Sequence, residues 1–373
     1  METSGSTDVQ GQAINESYSD GVQDQMEESV YIKTTVAGAK AFKRLVKAGS
    51  RVSKRIETTP FFKSTEVDIT VEVTMENGKK KLTGLRWYGG KFSHLRWLSP
   101  LLPKAFLFCE PFGGSAAVLL NREPSPVEVY NDIDSDLVTF LKVLREEPDE
   151  LIEKLYLTPF SREEFANACK HKYDRQLPDL ERARLFFIRA EQVRIGLAQT
   201  ATPGRWAWCK FTSRRGMAGA VSRWIGRIEG LCAITDRLRN VQIENMEAID
   251  VIKRYDSKDT LFYCDPPYPH ESRGDIHAYE FEMNEEQHMK LSEVLHDVKG
   301  KVALSSYKSP LMTKLYHDWI RIDAPMMIAH SIKQMRQESL WINYNPLILG
   351  VDAIRKLKLM GCSFGPDTSE SLR

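Results

Sequence analysis

The sequence is poor in paired metal ligands. Its six cysteines, Cys109, Cys169, Cys209, Cys232, Cys264 and Cys362, form no C-x-x-C pair, and its eight histidines form no H-E-x-x-H or similar spacing. A structural zinc needs such spacings, so no metal is expected, and scattered thiols suit reduced cysteines in the cytosol. Long apolar runs are missing as well. Nothing approaches the roughly 20 residues of a membrane helix, so no membrane partner is expected. Residues 1–30 contain no Lys or Arg, which argues against a signal peptide. A phosphate loop of the form G-x-x-x-x-G-K-[ST] is also absent. In "LRWYGGKFSHL" Gly84 falls one position too early, and Phe92 stands where Ser or Thr would bind magnesium.

What is present is strongly uneven in charge. The 373 residues carry a net charge of +1, with 42% hydrophobic and 28% charged residues, a composition suited to one large or two ordinary globular domains. Residues 1–30 hold seven acids, so the remaining 343 residues are +8. Within them, 31–63 carries nine Lys or Arg against the single Glu57, and 181–239 carries twelve, eleven of them Arg, against four acids. Charge blocks are commonly solvated faces. Two separate basic blocks also suit a polyanionic partner.

Residues 1–30 read as a disordered acidic tail, and 31–81 as a basic N-terminal extension. Within the extension, Ser29 to Arg55 fits a basic amphipathic helix loosely. "VDITVEVTMENGKKKLTGL" alternates with period two and predicts a hairpin turning at Asn77-Gly78. From Ala105 the grammar becomes strand and helix in alternation, broken by a mostly helical, arginine-rich stretch at 151–235. The expected fold class is therefore α/β, a doubly wound parallel sheet with a helical insert forming a separate lobe. Such sheets bind ligands beyond the carboxyl ends of their strands, which places the turns after Cys109, Tyr130 and Cys264 around one crevice.

Three turns carry the candidate chemistry. In "EPFGGS", Glu110, Phe112, Gly113 and Gly114 follow a strand and precede a helix, where paired glycines allow close backbone approach; a plain tight turn is the alternative. Asp132 follows Gly113 by 19 residues, the place of a ribose-binding acid in nucleoside-binding folds. Helix capping is the alternative for it, and is the expectation for Asp134 and Asp136. In "TLFYCDPPYPH" a buried strand delivers Asp265 to its own end. Pro266 and Pro267 then fix the carbonyl directions and Tyr268 presents a ring. An acceptor, a rigid carbonyl and an aromatic face suit a planar group bearing an NH2, such as adenine or cytosine. A rigid strand exit with a partly buried tyrosine is the bland alternative.

Together "RWYGGK", "EPFGGS", "NDIDSDL" and "DPPY", in this order, resemble the Dam-like DNA adenine-N6 methyltransferases over about residues 82–345. The resemblance implies a seven-stranded, Rossmann-like methyltransferase sheet formed by 82–150 and 236–350. A target-recognition lobe at 151–235 and a tail at 351–373 complete the expected division. It implies S-adenosyl-L-methionine as methyl donor, with no metal, and double-stranded DNA as partner. Trp87, Lys91, Glu110, Phe112, Gly113, Gly114, Asp132 and Asp265 would contact the donor, with Lys91 near its carboxylate. Asn245 in "VQIENMEAI" is a looser match for a further donor contact. Asp265, Pro266, Pro267 and Tyr268 would form the catalytic adenine site, with Tyr268 stacking on a base turned out of the helix. The implied activity is that of a site-specific, adenine-specific DNA methyltransferase, monomeric or weakly dimeric. It would act in a bacterial nucleoid or an infected host's cytoplasm, and a cognate restriction endonuclease would be a further partner. Cytosine-N4 methylation, RNA adenine methylation and a decayed DNA-binding module are the competing readings.

In the insert, "GRWAWCKFTSRRGMAGAVSRW" interleaves basic and aromatic residues. Arg205, Lys210, Arg214 and Arg215 are the expected DNA contacts, while Trp208 and Trp224 are expected in the lobe's own core. "PHESRGDIHAYEFEM" has the length and polarity of a lid loop.

Overall fold

The computed structural model describes residues 81–272, 279–328 and 335–364, and the backbone of three strands nearer the N-terminus. Those strands are β1 (Glu28–Thr35), β2 (Arg51–Ser53) and β3 (Glu66–Thr74), in the order β1-β3-β2, both pairs antiparallel. The helix expected over 29–55 is therefore strand at both ends. The run "VYIKTT" is β-branched and finds a partner far along the chain, which overrides a weak local helical pattern. The strand expected before Asn77 exists as β3, but it pairs with β1 and β2. Residues 81–87 carry no strand, and the turn at Asn77-Gly78 lies outside the described residues, as do 1–27.

Residues 78–373 form a second compact unit built on an eight-stranded sheet. In chain order its strands include β4 (Leu107–Glu110) and β5 (Val127–Asn131), after which the two-residue strands β6 (Ser213–Arg214) and β7 (Met217–Ala218) pair apart as a hairpin. The sheet continues with β8 (Val241–Glu244), β9 (Thr260–Cys264), β10 (Lys301–Tyr307) and β11 (Ile320–Asp323). A second small hairpin, β12 (Met327–Ile328) and β13 (Met335–Arg336), precedes β14 (Glu338–Ile342) and β15 (Ser363–Phe364). The sheet order is β15-β11-β14-β10-β9-β4-β5-β8. From β10 to β8 all neighbours are parallel, and β14 runs antiparallel to both β10 and β11.

Eight strands stand where seven were expected. The eighth, β15, comes from the segment read as a tail, which also holds the helix Val351–Leu359. Two residues are too few to show a period, so this edge strand had no sequence signature.

Alternation along β9 explains why the sheet is covered on both faces. Leu261 and Tyr263 join one apolar cluster with Phe140, Phe186 and Phe187, while Phe262 and Cys264 join another with Val251, Leu291 and Leu295. Fully buried strands of this kind read as continuous apolar runs. The arginine-rich stretch is mostly helical, with helices Pro148–Leu157, Arg162–Lys170, Asp179–Gln192, Gly219–Glu229 and Leu231–Leu238. These helices were expected as a separate lobe. Instead Phe187 stacks on Phe140 at 5.5 Å, and the helices share the sheet's own core. Among the described residues no helix is long and apolar enough to cross a membrane.

Candidate active site

The glycine turn after β4 is shaped by what presses on it. A Cβ on Gly113 would come within 2.1 Å of the Tyr130 ring. Gly114 adopts φ +48° with the Trp87 indole nitrogen 2.9 Å from where its Cβ would be, so glycine is required at both places. The Tyr130 hydroxyl donates to the Gly114 carbonyl at 2.7 Å and fixes the turn from beneath. Asn131, the last residue of β5, is fully buried. Its amide donates to the carbonyls of Pro111 (2.8 Å) and Met246 (3.0 Å), tying three turns together. Sequence reading passed over Asn131, because one polar residue ending an apolar strand resembles any strand end.

These turns enclose a crevice of about 440 Å³. Trp87, Lys91, Glu110, Phe112, Gly113, Gly114, Asp132 and Asp265 all line it, as does Pro267. Asn245 does not. Its amide lies behind the wall, donating to the carbonyls of Asp132 (2.7 Å) and Ile133 (3.2 Å), and Met246 and Glu247 line the crevice instead. Tyr279 to Met283, after the undescribed residues 273–278, close another side, so the visible part of the expected lid lies against the crevice.

Asp132 accepts the backbone N–H of Gly114 on one oxygen and of Asp134 on the other, at 2.8 and 2.9 Å. Burial, with neighbouring Asp134 second, raises its pKa to about 7. Asp134 caps the helix Ser135–Glu146, accepting from the N–H groups of Asp136 and Leu137. Asp136 makes no cap. It is buried between Arg182 (3.0 Å) and Arg189 (2.5 Å), a pairing outside any local pattern. Glu110 accepts from the Leu119 N–H at 2.8 Å, and its other oxygen is buried with no hydrogen-bond partner among the described residues. Burial raises its pKa to about 8.

At the opposite end the Lys91 ammonium lies 2.7 Å from Asp265, 3.3 Å from Glu338 and 3.0 Å from the Gly89 carbonyl. It also stands 5.0 Å over the Tyr268 ring. The Lys91 ammonium, expected near the donor's carboxylate, is thus held by two carboxylates of the protein, which keep its pKa raised against burial. Burial raises Asp265 to about 6; Lys91 opposes this and Glu338 adds to it. Tyr268 and Pro266 are buried and do not line the crevice. The Tyr268 ring packs edge-on against Tyr307 at 4.9 Å, and the single hydrogen of its hydroxyl lies between Asp265 (3.2 Å) and the nearer Glu338. Glu338 was not singled out in the sequence, where it merely precedes the apolar run "SLWI".

Arg205, Lys210, Arg214 and Arg215 are all exposed, away from the crevice lining. Arg214 ends β6, and Arg215 and Gly216 form its turn with φ +54° and +73°, the two-residue type I′ geometry. Trp224 is buried as expected. Trp208 is not: it is 55% exposed beside Phe211 at 90%, because no helical period sets its direction in that loop.

Residues 87–336 match the family described as D12 class N6 adenine-specific DNA methyltransferase, two thirds of the chain. The chain is 26% identical over 254 residues to the DNA N-6-adenine-methyltransferase of Escherichia phage P1, covering 62% of this chain and 31% of that one. It is 24% identical over 253 residues to the DNA adenine methylase of Salmonella typhi, covering 64% of this chain and 85% of that one. The Type II methyltransferase M.MjaIII of Methanocaldococcus jannaschii is 26% identical over 260 residues, covering 62% and 86%. The chain thus spans under a third of the phage protein but most of the other two.

Proposed function

Because this chain belongs to the D12 class N6 adenine-specific DNA methyltransferases, we propose that it methylates adenine N6 in double-stranded DNA, with S-adenosyl-L-methionine as donor. The base would first leave the helix, since its amine is otherwise out of reach. When bound, the donor supplies an electrophilic methyl on a sulfonium.

The residues present fit such a donor. Asp132 retains lone pairs beyond its two backbone contacts, as ribose hydroxyls require. Apolar Phe112, Ile133, Met246 and Ile249 offer surface for a purine, and the orphaned Glu110 oxygen offers a further polar contact. A volume of about 440 Å³ is in the range of small-molecule sites. Trp87 and the Gly113-Gly114 turn would complete this end, Lys91 would meet the donor from the opposite end beside Asp265, and Asn245 would brace the Asp132 backbone from outside. Asp265 would accept a hydrogen from the amine, the Pro266 carbonyl the other, and Tyr268 would wall the base site. Accepting both hydrogens favours the pyramidal nitrogen whose lone pair is free to attack. The amine proton leaves only once nitrogen has gained charge, so Asp265 need not be a strong base.

Arg205, Lys210, Arg214 and Arg215 would meet DNA phosphates or base edges, making 151–235 the DNA-recognition part. Residues 82–150 and 236–350 would then be the catalytic part, acting in the cytoplasm. The Type II name of the archaeal relative makes a companion restriction endonuclease part of this reading. The observation that carries the proposal is that Asp132 and Asp265, from two different turns, line one crevice. Incubating the chain with labelled donor and defined duplexes, then digesting to nucleosides, tests it. N6-methyladenine is expected; label in N4-methylcytosine, or none at all, would defeat it.

A further inference from the structure

Glu338 opens β14, opposite Tyr307 of β10, and is only 5% exposed. A carboxylate in such surroundings is costly unless charge and hydrogen bonds satisfy it. Its partners are the Lys91 ammonium and the Tyr268 hydroxyl, which belong to two different motifs, "RWYGGK" and "DPPY". Lys91 and Tyr268 are also the two groups that contact Asp265, both through Oδ1. Two side chains therefore converge on one acid, and Glu338, far along the chain, touches both of them. Without Glu338, the whole charge of Lys91 and the whole donor capacity of the Tyr268 hydroxyl would fall on Asp265. A carboxylate so committed is a poor acceptor for anything else.

On the reading of the site given above, we propose that Glu338 is a positioning residue for methyl transfer. It shares the Lys91 ammonium and takes up the Tyr268 hydroxyl, so that Asp265 stays a strong acceptor with Oδ2 open to the substrate amine. The other titratable groups facing Asp265 are Tyr263 and Cys264 of β9 and Glu110 of β4. Burial holds the Tyr263 hydroxyl and the Cys264 thiol neutral at ordinary pH, since it pushes both upward. Glu110 repels Asp265 only where it is itself charged, above about 8. His94, which feels both Lys91 and Glu338, is pushed downward by burial and stays neutral too. Near neutral pH, then, Lys91 and Glu338 set the charge environment of Asp265, and they act in opposite directions.

The test uses the full-length chain and its Glu338→Gln and Glu338→Asp variants. Glutamine keeps the size and an acceptor for Tyr268 but removes the charge. In E338Q, kcat should fall on the order of 10- to 100-fold, as when a charge-assisted hydrogen bond behind a reacting group is removed, with the donor KM little changed. Removing a negative neighbour lowers the pKa of Asp265, so the acid limb of kcat/KM should move to lower pH. The Asp265 carboxyl carbon, followed by NMR in donor-free protein and assigned with Asp265→Asn, should show the same shift. E338D keeps the charge and should hold the limb near its wild-type position. An unchanged kcat and midpoint in E338Q, or a loss confined to donor or DNA KM, would overturn the proposal while wild-type activity stood. If E338Q does not fold, E338D decides through its Asp265 midpoint: a value moved as far as in Asp265-neighbour deletions such as Tyr268→Phe would equally overturn it. A wild-type chain without methyl transfer would instead sink the activity on which the proposal rests.

Discussion

Asp265 stands under opposing demands: burial favours its neutral form and Lys91 its charged one, and burial prevails enough to raise it to about 6. As an acceptor it must be charged, and it loses that charge as pH falls through about 6. Methyl transfer should therefore rise with pH through about 6 and level off above it, as measured by initial rates at saturating substrates. Asp265→Asn should remove that limb along with most of the activity. Glu110 shows the same physics as a stability effect. Its folded pKa is raised from 4.5 to about 8, so its contribution is fully present below about 4.5 and is lost as pH rises through about 8. Glu110→Gln should flatten the fall in unfolding free energy between pH 6 and 9 by on the order of 2 kcal/mol, checked by urea titration at each pH.

At the scale of elements, the β6–β7 hairpin carries Arg214 and Arg215 on a turn that projects from the helix Gly219–Glu229 into solvent. The nearest acid to Arg215 is Glu229 at 3.9 Å, and 72% of the Arg215 side chain is exposed, so little in the protein competes for its charge. Replacing both arginines with alanine should weaken DNA binding. It should also reduce the slope of log K against log salt by roughly 1 to 2, since each phosphate no longer neutralised removes about 0.9. Donor affinity, read by calorimetry, should not move. The hairpin itself was hidden in the sequence, since two-residue strands have no period and only the Arg-Gly turn hints at them. β4, β5 and β9, by contrast, were legible. Each is a largely apolar run stopped by glycine, an acid or proline, and the ligand-facing chemistry sits at the stop.

For the molecule as a whole, the legible part of the site is the part that lies near itself in sequence. Trp87, Lys91, the Gly113-Gly114 turn, Asp132 and Asp265 each belong to a short stretch with an unusual composition, and all line one crevice. Glu338 and Asn131 act through partners far along the chain, Lys91 and Met246 among them, and no local pattern marks such pairings. Asp136 belongs with them. It joins the helix after β5 to Arg182 and Arg189 of the insert. Asp136→Ala would leave the buried Arg189 guanidinium without its carboxylate, beside a half-buried Arg182 that keeps Asp179, and should cost about 3–5 kcal/mol in denaturant unfolding, far more than an exposed ion pair.

The insert leaves the sheet after β5 and returns to it at β8, and these two strands are parallel neighbours. In connectivity it is a single, very long crossover, stapled where it comes home by Arg237, which grips Glu128 of β5 and the Leu119 carbonyl. Exchanging the helices in between alters no strand pairing, but it removes Phe186 and Phe187 from the sheet's core and Gln199 from the crevice lining. A graft should therefore hold only if it restores the apolar packing on Phe140 and the guanidinium partners of Asp136, besides keeping Arg237. The long crossover is thus a buttress of the crevice wall and no detachable appendage.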